Sequence, residues 1–171
     1  MMALAVVGSI VSICAIACCR QDKKVPHNYI WLGVFTLSEA WLIATICTKT
    51  DPKIVLEAAV LTLGDVVAIT IYAMTTKTDF TVCGPALFIF GMTFSIVGFF
   101  LAIFGFHLGI VWAGIGVILF SFYLLFDTQM IMGGDSKRYQ FDEDSYILAA
   151  VALYLDIVNI FLYILQMLGD K

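Results

Sequence analysis

Four carboxylic acids lie inside runs of sequence that are otherwise almost wholly apolar: Glu39, Asp65, Asp127 and Asp156. On insertion scales an ionisable group at the middle of a membrane helix costs ~2.5–3.5 kcal/mol. Such a group is therefore a functional candidate by default. No Lys, Arg or His lies deep in any of these runs. The acids must be protonated, share protons, bind a cation or face water. The chemistry open to them is proton exchange and the oxygen ligation that hard cations such as calcium prefer. The alternative for each is a neutral carboxyl bonded to a backbone carbonyl. Glu57, near the start of its run, can simply reach the interface.

The elements that must position these acids are long apolar runs. The chain has 171 residues, of which 62% are apolar, 14% aromatic and 13% charged. Its mean hydropathy is +1.02. A soluble domain carries ~25% charged residues, so this chain lacks the charge to clothe a water-facing surface. Soluble enzymes, disordered regulators and secreted disulfide scaffolds are excluded on that ground. A bilayer core ~30 Å thick takes ~20 apolar residues per helix. The sequence predicts an all-α polytopic membrane bundle in one domain, residues 1–171, with six spans at about 1–19, 29–48, 54–74, 82–104, 108–132 and 146–168. Runs of this length do not alternate as the strands of a membrane β-barrel would. The first run lacks a basic leader, and its apolar stretch exceeds the ~7–15 residues of a signal peptide, so it reads as a span.

The connections after the first, third and fifth runs hold six Lys/Arg residues: Arg20, Lys23, Lys24, Lys77, Lys137 and Arg138. The opposite side holds three: Lys49, Lys53 and Lys171. The positive-inside rule places the first set in the cytosol. Nine scattered basic residues argue against nucleic-acid binding. The five cysteines, Cys14, Cys18, Cys19, Cys47 and Cys83, have no CxxC spacing and read as small buried hydrophobes. His27 and His107 both lie outside the spans, so no Ser/His or His-rich constellation for an intramembrane protease is present. The expectation is a non-enzyme with no cofactor.

The last run is the most informative. Ala149, Ala152, Asp156, Asn159, Tyr163 and Gln166 follow spacings of three and four and share one helical face. That stripe should face protein or water. The run 54–74 repeats the idea with Ala58, Thr62, Asp65, Ile69 and Tyr72. Gly91, Ser95 and Gly98, and likewise Gly109 and Ala113, form small-residue stripes that permit close helix contact. Asp127 falls one to two turns before a helix end at Met132, capped by Gly133-Gly134. Its charge there opposes the helix dipole and a low dielectric. If Asp127 and Asp156 meet, their repulsion favours one shared proton, and the two titrate as a unit.

Four stretches carry a family resemblance: Val25-Pro-His-Asn-Tyr-Ile30 with Leu32–Ala40; Ile71-Tyr-Ala-Met-Thr-Thr-Lys-Thr-Asp-Phe-Thr81; Leu125-Phe-Asp-Thr-Gln129 continuing to Gly133; and Ala152-Leu-Tyr-Leu-Asp-Ile-Val-Asn-Ile-Phe-Leu-Tyr-Ile-Leu165. The chain resembles the transmembrane Bax inhibitor motif family, in particular its Lifeguard branch, over essentially its whole length. The resemblance implies a bundle of seven helices with the last one central. It implies a pH-sensitive calcium leak in the endoplasmic reticulum, Golgi or another intracellular membrane, with roles in calcium homeostasis and cell-death regulation. Its partners would be the lipid bilayer, calcium, protons and other membrane proteins of cell-death signalling. It assigns proton sensing to Asp127 and Asp156; the residues themselves, as oxygen ligands, suggest transient calcium binding at that pair, with Glu39, Asp65 and Asn159 as further pathway candidates. The first run matches the family's second helix, so the first helix and the cytosolic N-terminal region have no counterpart here. Asp65 departs from the uncharged residue expected at its position, as an added cation site or a tolerated change. A non-conducting membrane regulator that binds other membrane proteins is the alternative function.

Overall fold

The computed structural model describes residues 2–17, 25–105, 109–133 and 138–169. Arg20, Lys23, Lys24, Lys137 and Lys171 of the charge count, Cys18 and Cys19, His107 and Gly134 lie outside the described residues. Six α-helices appear, and the described residues contain no strand: α1 Met2–Ala17, α2 His27–Cys47, α3 Pro52–Thr75, α4 Gly84–Ile103, α5 Ile110–Met132 and α6 Tyr146–Gly169. Single 3₁₀ turns, Thr81–Cys83 and Glu143–Ser145, lead into α4 and α6.

Five of these helices are long and apolar enough to cross a membrane. The first is shorter: its 16 residues rise ~24 Å, less than the ~30 Å hydrocarbon core. Six spans are expected from the sequence; six helices are present, of which five are long and apolar enough to cross a membrane.

Helix boundaries follow local chemistry. Asp51 precedes Pro52, whose missing N–H is no loss in the first turn, and its carboxylate accepts the Lys53 N–H at 2.8 Å. Asp79 accepts the Thr81 N–H at 3.0 Å and its hydroxyl at 2.6 Å, which sets up the turn into α4. The α5 terminus calls for glycine because Gly133 has φ +56°, a conformation L side chains rarely adopt.

The described chain falls into two compact units. The first comprises Met1–Val55 with Phe141–Ala152. In it α1 and α2 approach closely at Gly8, where a Cβ would meet the Ser38 hydroxyl at 2.5 Å. Asn28 is fully buried and donates to the Tyr146 hydroxyl at 2.9 Å. The second unit comprises Leu56–Gln140 with Leu153–Lys171 and contains α4, α5 and most of α3 and α6.

Burial is sparse, as a lipid solvent requires. Between helices in hydrocarbon no hydrophobic force acts, and close packing and polar contacts hold the bundle. Helix α4 buries no residue, and its Phe88, Ile89, Phe90 and Phe99 stand exposed. Cys14 and Cys83 are exposed as well, which corrects the expectation of buried cysteines: a small apolar side chain can face lipid as readily as protein. The most enclosed helix is α6, with 39% of its most apolar stretch buried. Its burial is not confined to the polar stripe. Ile160, Ile164 and Leu165 are as deeply buried as Asp156.

Candidate functional site

The second unit brings Asp127 of α5 and Asp156 of α6 together. Their carboxyl groups lie within hydrogen-bonding reach of each other. Both are buried, with 9% and 5% of their surface exposed. A hydrogen bond between two carboxyl groups requires that one of them carry a proton. The Oδ2 atom of Asp156 is buried and has no hydrogen-bond partner among the described residues. Asp127 sits five residues before the end of α5 and Asp156 near the middle of α6.

The surroundings of the pair are organised by polar side chains on the same helices. Gln129, two residues beyond Asp127, is fully buried. Its Oε1 accepts the Phe80 N–H at 2.8 Å, and its Nε2 donates to the carbonyls of Thr78 at 3.1 Å and Ala73 at 3.5 Å. The loop between α3 and α4 is thereby fastened to the end of α5. A second fastening joins that loop to the segment after α5: Asp79 accepts the Arg138 N–H at 2.9 Å, and the Thr81 hydroxyl accepts the Tyr139 N–H at 3.2 Å. Nearer the middle of α5, Tyr123 donates to the Leu87 carbonyl of α4 at 2.7 Å. Its hydroxyl lies over Gly91, where a Cβ would overlap it.

The remaining candidates are placed elsewhere. Asp65 accepts the Ser121 hydroxyl at 2.9 Å, between α3 and α5. It lines a cleft of about 300 Å³ with Ile69, Tyr72, Val117, Phe122 and Leu125. Asn159 turns its amide back to donate to the Leu155 carbonyl at 2.7 Å, one turn earlier on α6. Glu39 is half-buried on α2 and belongs to the first unit. The inner face of α3 runs through Ala58, Thr62 and Ala73; Tyr72, expected on it, is half exposed.

The arrangement can hold and release a proton between two carboxyl groups. Among the described residues, no group of three or more His, Cys, Asp or Glu side chains could hold a metal ion. Calcium takes six to eight oxygens, so a cation at the pair would need water and carbonyl oxygens to complete its shell. That chemistry suits a passing ion better than a stored one. The residues that the sequence alone did not mark are Gln129, Tyr123 and Ser121. A Gln and a Tyr inside an apolar helix are a readable signal, since each carries donors that hydrocarbon cannot satisfy. Which carbonyls they would reach depends on the tertiary fold.

Over residues 1–171 the sequence matches the family model described as "Inhibitor of apoptosis-promoting Bax1". It is 31% identical over 168 residues to "Protein lifeguard 3" of Homo sapiens, covering 95% of this chain and 53% of that protein. It is 37% identical over 149 residues to "Protein LIFEGUARD 4" of Arabidopsis thaliana, with 84% and 58% coverage. To the "BI1-like protein" of Arabidopsis thaliana it is 39% identical over 156 residues, with 87% and 59% coverage. The chain spans about half the length of the curated relatives it matches.

Proposed function

This chain belongs to the family of inhibitors of apoptosis-promoting Bax1, and on that premise we propose that it is a multi-pass protein of an intracellular membrane that passes calcium under control of the Asp127–Asp156 pair. The observation that carries this reading is the buried approach of two carboxyl groups, one on α5 and one on α6. With one proton on the pair, the hydrogen bond ties the two helices and the pathway is closed. Loss of that proton leaves two like charges in a poorly solvated site, where repulsion is strong, and the helices part. Calcium flux therefore rises as pH rises. The oxygens of the separated carboxylates, with water, are the ligands a passing calcium prefers. No covalent step is involved, and the role is not enzymatic.

The test is calcium entry into dye-loaded liposomes across a pH series. Wild type should leak more at higher pH. Asp156→Asn and Asp127→Asn should each flatten that dependence, because Asn keeps the shape and the hydrogen bond but cannot titrate. Flux with an unaltered pH response in both variants would sink the pair as the sensor. No wild-type flux above that of empty liposomes would sink the leak itself.

A second reading is favoured by the family's description, which concerns an apoptosis-promoting protein and not transport. In it the chain is a non-conducting regulator that binds other membrane proteins of cell-death signalling, and the polar pair fixes helix packing. The absence of wild-type flux would leave this reading in front.

A further inference from the structure

We propose that Tyr163 is a plug that shuts the Asp127–Asp156 pair off from a polar-lined cleft at the far end of α6. Its place in calcium movement rests on the leak reading above, whereas the plug itself is a statement about access. Three independent features place it. Tyr163 lies on the same face of α6 as Asp156 and Asn159, seven residues beyond the acid, which is ~10 Å along the axis. Its ring sits directly over Gly116 of α5, where a Cβ would come within 2.7 Å of three ring carbons. Only a glycine lets the ring reach that depth. The ring is then held on two further sides, stacked on Phe120 at 5.8 Å between centroids and edge-on to Phe94 of α4 at 5.7 Å. Phe94 is in turn stacked on Trp112 at 4.2 Å. Residues of α4, α5 and α6 thus converge on one aromatic ring.

Beyond the ring lies a cleft of about 310 Å³ lined by Ser95, Gly98, Trp112, Tyr163 and Gln166 among others. A polar cavity of this size accommodates several waters at ~30 Å³ each. Tyr163 forms part of its wall and also contacts the glycine seat. On the other side of the ring are Asn159 and then the acid pair. The α5 and α6 contacts run in opposite order, Asp127 with Asp156 and Gly116 with Tyr163, so the two helices are antiparallel here and the ring lies between the pair and the cleft. No hydrogen bond among the described residues ties the Tyr163 hydroxyl. The ring is held by packing alone, so a change of side-chain rotamer is enough to move it.

The experiment reads access first and flux second. In a chain whose native cysteines are replaced by serine, Asn159→Cys places a thiol between the ring and the pair. The protein is held in nanodiscs, so both membrane faces are open to a charged methanethiosulfonate reagent. With Tyr163 present the thiol should react slowly. Tyr163→Ala should raise the rate at least tenfold. Gly116→Ala should raise it too, by pushing an intact ring out of its seat, which keeps the test decisive if Tyr163→Ala does not fold. Tyr163→Phe should leave the rate unchanged, since the ring and not the hydroxyl is the barrier. Rapid labelling with Tyr163 in place, or no rise in any folded Tyr163→Ala or Gly116→Ala protein, overturns the plug. In liposomes, Tyr163→Ala should leak calcium at the acid pH where wild type is closed. A labelling rise with no flux in any variant supports the plug and refutes the leak; a pH-dependent wild-type leak with unchanged labelling refutes the plug alone.

Discussion

Two polar centres lie two residues apart on α5 and are built on opposite plans. Gln129 is fully buried and well bonded: its oxygen and its amide reach two backbone groups of the α3–α4 connection and one carbonyl in the last turn of α3. It cannot titrate at any physiological pH. Asp127 meets a second acid, Asp156, one of whose oxygens is buried without a partner among the described residues. The first centre has one arrangement that satisfies it. The second has at least two, differing by a proton. In the function proposed above, a fixed anchor beside a titratable contact would let a change at the pair move α6 against α5 while the loop end of α5 stays pinned.

The largest effect should come from removing the anchor. Gln129→Leu keeps the volume but removes the acceptor of the Phe80 N–H and a donor to the Thr78 carbonyl. A stranded buried backbone group costs ~1–3 kcal/mol, so the loss of stability should be about 2 kcal/mol, read from denaturant or thermal unfolding in detergent. Gln129→Glu, which keeps the acceptor for Phe80, should lose less. A change below about 1 kcal/mol in Gln129→Leu would mean that the loop finds other partners and the anchor is not fixed.

A smaller effect is expected where α5 meets α4. Tyr123→Phe removes one hydrogen bond to the Leu87 carbonyl, worth about 1 kcal/mol. The close seat at Gly91 adds a sharper signature. A Cβ there would overlap the Tyr123 hydroxyl oxygen but would lie 3.0 Å from its nearest ring carbon. Gly91→Ala should therefore cost more in the Tyr123 protein than in Tyr123→Phe, and a double-mutant cycle reads that coupling directly. Additive losses would show that the hydroxyl does not occupy the seat.

Much of this architecture can be read from the residues. The six apolar runs match the helices to within two residues at every described end, because length and apolarity are the very properties a bilayer selects. Asp127 and Asp156 are legible as two of four acids without basic partners; that these two meet, and not Glu39 or Asp65, depends on the fold. Which small residues make the close contacts was not visible. Gly109 was expected at a helix contact and has nothing near it, whereas Gly116 seats Tyr163. Glycines 109, 114 and 116 look alike in the sequence, and only the rotation of α5 in the bundle decides which one a neighbour meets. The same holds for Tyr72, displaced from the inner face of α3 by Ala73. A stripe of spacing three and four fits either residue, and the smaller one packs closer. Gln129 illustrates the remaining limit: its type announces that partners must exist, but they come from a loop more than forty residues earlier.

The smallest effect should be at Asp65, and it tests whether an acid in a span acts in the proposed sensor merely by being there. Asp65 accepts one hydrogen bond from Ser121 and is only half-buried, on a cleft between α3 and α5. Its hydrogen-bonded partner is a hydroxyl, not a second acid. Asp65→Asn retains an oxygen that can accept the same bond, so stability should change by no more than about 0.5 kcal/mol, within the range of an ordinary substitution away from special features. Asp65→Leu loses the bond, yet Ser121 can turn its hydroxyl to the carbonyl four residues earlier on α5; its cost should stay near 1 kcal/mol. In the liposome assay Asp65→Asn should leave the pH profile in place, because no identified acid partner couples it to α6. A flattened profile in Asp65→Asn would assign the titration to the α3–α5 cleft, and the contrast between a well-bonded anchor and a single shared-proton contact would no longer support the proposed pH control.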